Sequence, residues 1–162
     1  MEYNIDELRI RLVTPDDKER ITAFFASLGE EGTHFLNRGR GNELGAIAFC
    51  NGERPDRVYW AAVHDTDEGE EFVGLTFIWN KDSMIPWFGI GVSEEWKGRH
   101  LGRRLIAVVR EYCENAGCGG ILLTTAQDNV RGQGLYEHCG FEKLGVATCG
   151  EFQYILRFPI RK

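Results

Sequence analysis

Apolar and charged residues alternate at positions 8–12, Leu-Arg-Ile-Arg-Leu, with the period of two expected of a half-buried strand. Thr14-Pro15-Asp16-Asp17 then predicts a helix start: Thr14 is the cap, Pro15 takes the first helical position and acids fill the first turn. That helix carries Ile21, Phe24, Phe25 and Leu28 and stops at Gly29. Residues 30–45 are less regular. Thr33, His34, Phe35 and Leu36 fit a second short helix, followed by the glycine-rich Arg38-Gly39-Arg40-Gly41. Three apolar runs come next, at 57–64, 72–80 and 84–92. The acidic turn 65–71 and the polar turn 80–83 separate them, which predicts an antiparallel meander. Pro86 cannot donate a ladder hydrogen bond, so a bulge or a splayed edge is expected beside it.

The period then changes. Leu101, Leu105, Val108, Val109, Tyr112 and Ala116 recur every three or four residues and make one apolar helix face. Asn115-Ala116-Gly117 reads as the helix end. The uncharged run at 120–126 is another buried strand. Strand, helix and strand in this order make a parallel crossover. If its two strands splay, a ligand can insert between them. Asp128 or Asn129 caps a last helix that ends at Gly140. Residues 141–148 and 151–160 form a closing hairpin around Cys149-Gly150. The fold class is therefore mixed α/β: an antiparallel half, a parallel unit, then a hairpin.

The turn from strand 84–92 into the long helix carries the candidate chemistry. A helix start offers unpaired backbone N–H groups and a partial positive charge. Gly98 and Gly102 let the backbone approach a ligand closely. Lys97, Arg99, Arg103 and Arg104 add full charges. The combination suits a phosphate or pyrophosphate. A triphosphate-binding loop needs Gly, four residues, then Gly-Lys-Ser/Thr, and no stretch fits. Gly89-Ile90-Gly91 lacks the third glycine of a dinucleotide loop.

Composition narrows the partners. The chain has 162 residues and a formal charge of −6. The length suits one domain, 1–162. The net charge argues against a nucleic-acid binder, and the local basic cluster fits a small anion. Five cysteines with no C-x-x-C pair argue against zinc and against a disulfide framework. No signal pattern opens the chain and no apolar run approaches membrane-spanning length, so a cytoplasmic protein with no membrane partner is expected.

Two motifs carry a resemblance. Lys97 to Gly102 is similar to the acyl-CoA pyrophosphate loop of GNAT-superfamily N-acetyltransferases, Gln/Arg-x-x-Gly-x-Gly/Ala. Lys97 stands at the first position, His100 at the first glycine and Gly102 at the second. Either the backbone at His100 needs no left-handed conformation, or its side chain points outward; protonated, it can help bind phosphate. Asn129 to Phe141 resembles the family's Asn-x-x-Ala-x-x-Leu-Tyr-x-x-x-Gly-Phe. Asn129, Leu135, Tyr136, Gly140 and Phe141 match, and Gly132 replaces the alanine.

The resemblance implies a fold of about seven strands and about four helices, with acetyl-CoA as cosubstrate and no metal. It implies acetyl transfer to a primary amine of a small molecule, by direct attack through a tetrahedral intermediate. Ile90, Gly91 and Val92 would hold the pantetheine arm, and a backbone N–H of Ile90 or Val92 the oxyanion. Lys97, Gly98, Arg99, His100, Leu101, Gly102, Arg103 and Asn129 complete the implied cofactor site. Tyr136 would protonate the leaving thiolate or hydrogen-bond to it. A phenol is about 1.5 units weaker as an acid than a thiol, so full transfer is uphill by about 2 kcal/mol at ordinary values. Strand 84–92 has no acid to serve as base. Asp82, Glu71, His34, Glu151 and a water relay all stay open. The acidic chain favours cationic amines such as polyamines or aminoglycosides. A peptide acceptor and an acyl-CoA sensor without turnover are the alternatives. Family habit implies a homodimer.

Overall fold

The computed structural model describes residues 3–160. One mixed sheet holds seven strands in the order β1-β2-β3-β4-β5-β7-β6. They are β1 (Arg9–Leu12), β2 (Val58–Thr66), β3 (Gly69–Trp79), β4 (Trp87–Val92), β5 (Gly120–Thr125), β6 (Glu142–Val146) and β7 (Phe152–Arg157). Five α-helices cover the faces: α1 (Lys18–Ala26), α2 (Gly29–Leu36), α3 (Gly41–Cys50), α4 (Leu101–Asn115) and α5 (Val130–His138).

The helix beyond the expected four is α3. Its start gives no recognisable signal, because Arg40 precedes it in a left-handed conformation with φ 62°. The buried Glu43 carboxylate organises that start instead. It accepts from Asn37 Nδ2 at 3.1 Å and pairs with Arg40 at 3.2 Å. The helix start at Thr14 also has a modification. Pro15–Asp17 form a 3-10 turn, and only then does α1 begin. Asp17, 1% exposed, accepts from the Thr14 N–H at 2.8 Å and pairs with Arg11 at 2.9 Å and Arg20 at 3.0 Å. Burial alone would raise its carboxyl; these hydrogen bonds overcome that and hold it at about 2.

Two hydrophobic layers sandwich the sheet. Ile21 and Phe24 of α1, which ends at Ala26 rather than at Gly29, pack with Leu28 just before α2 on Tyr59, Leu75 and Phe77. On the other face Ile106, Val109 and Cys113 of α4 pack on Ile121, Leu123 and Leu156. The buried face of α4 is rotated slightly from the predicted one. Ile106 and Cys113 belong to it, whereas Tyr112 is 37% exposed and touches Trp60 edge-on.

Of the bulge or splayed edge expected beside Pro86, the bulge is not there: the register irregularities lie at Ala62–Val63 between β2 and β3 and at Lys143–Gly145 between β6 and β7. Pro86 itself sits just before β4, and its carbonyl accepts from the Leu122 N–H at 2.9 Å. The splay does occur here. Trp87↔Leu122 is the single registered pair between parallel β4 and β5. Past it, the strands diverge.

Candidate active site

The backbone defines the centre of the site. Antiparallel pairs alternate between hydrogen-bonded and non-bonded residues. The Ser93 N–H bonds the Val73 carbonyl at 2.9 Å, and Gly74↔Val92 and Thr76↔Ile90 lie on the same register. Ile90 and Val92 are therefore the non-bonded positions. Their N–H and C=O groups turn away from β3, toward the side where β5 has already left. Buried or half-buried backbone groups need partners. Here a ligand can supply them.

A groove of about 510 Å³ opens from this gap toward α4, roofed by Gly32, Phe35 and Leu36 of α2. Ile90, Gly91, Val92, Lys97, Gly98, His100, Leu101, Gly102, Arg103, Asn129 and Tyr136 all line it. Gly98 is left-handed, with φ 74°. His100 is too, at φ 69°, immediately before α4, and no side chain caps that helix. The backbone at His100 thus needs the conformation that glycine favours, and the imidazole is exposed at the groove. Gly102 has a packing reason of its own. A Cβ there would come within 2.8 Å of Leu135, which holds α5 against α4.

The cations divide. Arg103 faces the groove. Lys97 lines it while paired with Glu94 at 3.1 Å. Arg99 does not line it: its guanidinium lies 4.4 Å over the Tyr3 ring and donates to the Glu95 carbonyl at 3.0 Å. Arg104 donates to the Ile5 carbonyl and, at 3.5 Å, to that of Leu8.

Tyr136 is 8% exposed and lines the groove. Among the described residues nothing hydrogen-bonds to its hydroxyl. Burial, and then the charge of Glu151, push its phenol well above the usual range, so it is protonated at neutral pH. The α5 helix that carries it is fixed at several points. Asn129 caps it, accepting from the Gly132 N–H at 3.1 Å and donating to Thr125 Oγ1 at 3.0 Å. Any Cβ at Gly132 would collide with that Asn129 side chain at 2.5 Å, so the glycine serves the cap. Tyr154 donates to Glu137 at 2.6 Å from behind.

A second cavity, of about 220 Å³, lies beyond the same gap. It shares Phe35, Leu36, Ile90, Asn129 and Tyr136 with the groove. A cofactor-sized groove and a small cavity that meet at one buried phenol are the geometry of a group-transfer site.

Comparison with known proteins agrees. Residues 15–141 match the model of the Acetyltransferase (GNAT) family. The chain belongs to the GNAT acetyltransferase family. It is 35% identical over 78 residues to glucosamine 6-phosphate N-acetyltransferase 1 of Dictyostelium discoideum, covering 48% of each chain. It is 26% identical over 102 residues to aminoglycoside N(6')-acetyltransferase type 1 of Stenotrophomonas maltophilia, covering 61% of each. The chain thus spans about half to three-fifths of the length of these curated relatives. The fold superimposes on ribosomal-protein-S5-alanine acetyltransferase from Vibrio fischeri with a TM-score of 0.75 at 16% identity, over 96% of this chain and 93% of that one. The acceptors in these names run from amino sugars to a protein.

Four side chains were open as the base of this GNAT site, and the structure separates them. Glu151 lines the small cavity beside Tyr136. His34 lies outside it, in an open depression with Glu30, Glu31, Glu94 and Asp128, 3.9 Å from the Asp128 carboxylate. Asp82 is 91% exposed in the β3–β4 turn. Glu71 is exposed near the β2–β3 turn, opposite His64. Sequence reasoning missed the cavity walls, Phe77, Trp79 and Trp87. One signal was available. Trp87, Gly89 and Gly91 alternate on one face of β4, and the glycines leave room there. A Cβ at Gly89 would run into the Phe77 ring and one at Gly91 into Leu36. Among the described residues no helix is long and apolar enough to cross a membrane.

Proposed function

We propose that this chain transfers the acetyl group of acetyl-CoA to a primary amine of a small molecule. The observation that carries the reading is the unpartnered hydroxyl of the buried Tyr136 where groove and cavity meet, beside the unpaired backbone of Ile90 and Val92. The cosubstrate fits the residues present. Its pantetheine amides complement the backbone groups that β5 leaves without partners. Its diphosphate suits the uncapped start of α4, with Arg103, Lys97 and His100 at the rim.

Acetyl-CoA supplies the acetyl group as a thioester. The protein supplies position, charge and exclusion of water. A backbone N–H of Ile90 or Val92 stabilises negative charge developing on the acetyl oxygen. Tyr136 donates its O–H to the departing sulfur. Its raised pKa moves it further from the thiol range, so the contribution is a hydrogen bond to developing charge rather than a completed proton transfer. The cavity's small volume, about 220 Å³, supports a small acceptor over a peptide.

Titration calorimetry with coenzyme A, followed by a thiol-release assay over a panel of amines, tests the reading. Binding together with amine-dependent thiol release is the expected result. Binding without release under any amine would make the chain an acyl-CoA sensor. No binding would overturn the reading altogether.

A further inference from the structure

The small cavity carries a statement about its occupant. Its walls are aromatic: Phe35, Phe77, Trp79, Trp87 and Phe88. Asn42, Thr124, Thr125 and Asn129 add neutral polar groups, and Glu151 is the one ionisable carboxylate among the described lining residues. Glu151 is held in place. It accepts from Thr124 Oγ1 at 2.8 Å, and its own carbonyl accepts from the Ala147 N–H at 2.8 Å. Gln127 Nε2 bonds the neighbouring Gly150 carbonyl at 2.9 Å. Among the described residues no lysine or arginine pairs with Glu151. A half-buried carboxylate held by Thr124, beside aromatic walls and with no cation of the chain on it, is free to pair with a cationic group of a ligand. Aromatic faces attract a cation as well.

Taking the acetyltransferase reading as its basis, we propose that this cavity selects a compact primary amine with one ammonium on an apolar or aromatic body, and that Glu151 holds the ammonium. The volume, about 220 Å³, falls below the 300–1,000 Å³ or so typical of pockets for drug-sized ligands. An amino-sugar phosphate would bring a second negative charge toward Glu151 and find no cation there. A polyamine or aminoglycoside would bring further ammonium groups, and Glu151 is the one carboxylate among the described lining residues to meet them. In the reaction an ammonium and a thioester become an amide, a thiol and one proton released to solvent. Glu151 acts before that step, by holding the nitrogen near Tyr136, and its negative charge there is part of why the phenol stays protonated.

The test uses the full chain and reads amine binding directly. 2-Phenylethylamine is titrated by calorimetry against wild type, Glu151→Gln and Glu151→Asp, with 2-phenylethanol as the uncharged analogue. Glutamine keeps an acceptor for Thr124, and an unchanged Tm shows that the fold is intact. Wild type should bind the amine about tenfold or more better than the alcohol, and the preference should vanish in Glu151→Gln and partly return in Glu151→Asp. In turnover, Glu151→Gln should raise the amine KM about tenfold and leave the affinity for coenzyme A unchanged. Spermidine, kanamycin and an alanine-initiated peptide should be poorer acceptors than 2-phenylethylamine. Equal binding of amine and alcohol by wild type, or a charge preference that survives in Glu151→Gln, would overturn the proposal; so would spermidine, kanamycin or the peptide being the best acceptor. Amine binding that depends on Glu151, with no thiol release from any amine, would uphold the site and overturn the transferase reading. Turnover indifferent to Glu151 would do the reverse.

Discussion

The groove and the cavity sit on either side of one gap, and they are built in opposite ways. The groove draws the largest share of its lining from a single run, Ile90 to Arg103, and its working groups are largely backbone: the free N–H groups at α4 and the unpaired edge of β4. The cavity draws on α2, β3, β4, β5 and the β6–β7 turn, and its working groups are side chains. Backbone chemistry can be encoded in contiguous residues, because glycine placement and a helix start suffice. Side-chain chemistry has to be gathered by the fold. A cosubstrate common to a family and an acceptor that varies within it would call for this division.

The comparison can be broken at the point the two sides share. Tyr136→Phe should lower kcat about 100-fold or more while the KM for acetyl-CoA moves by less than about twofold, as steady-state kinetics will read. An unchanged kcat would remove the phenol from the reaction. A control away from both sides is Asp17→Asn, which should destabilise the fold by about 2 kcal/mol in urea titration and leave both KM values alone. Its pH dependence has a defined sign. The native carboxyl sits at about 2, below its unfolded value, so its stabilisation is complete above about pH 4 and disappears as pH falls toward 2. The Tm advantage of wild type over Asp17→Asn should shrink over that interval.

Two further substitutions sharpen the groove side. Arg103→Ala should weaken coenzyme A binding about tenfold, and more so at low salt, whereas Arg99→Ala should change it by less than about twofold. Equal effects would mean that Arg99 leaves Tyr3 when ligand arrives. The smallest effect is expected of His100→Gly. It relieves a left-handed non-glycine residue and should raise stability by about 0.5–1 kcal/mol with cofactor affinity nearly unchanged. A marked loss of affinity would show that the imidazole itself contacts phosphate.

The division between the two sides also governs what the chain could reveal before folding. Strand 84–92, the loop and the α4 period were readable, because each is a local pattern. So were the closing hairpin and a cap at Asp128 or Asn129, which the fold resolves to Asn129. The helix α3 was not, since its start depends on Glu43 meeting Asn37, and nothing in the run Gly41–Cys50 announces that contact. The fate of the loop arginines was equally hidden. Their sequence proximity to the phosphate loop is the same for Arg99, Arg103 and Arg104, yet only Arg103 points at the groove. The choice among Asp82, Glu71, His34 and Glu151 needed three dimensions, because Glu151 reaches Tyr136 only through the pairing of β7 with β5.

Arg104 and Arg99 tie residues 3–8 to the first turn of α4, across as many as 99 positions of chain. The opening segment therefore works as a brace for a loop encoded far downstream. Cutting or displacing that segment would release two guanidinium groups beside the uncapped start of α4. Proteolytic clipping near Ile5 would then register as altered coenzyme A affinity, at a place remote from every catalytic atom.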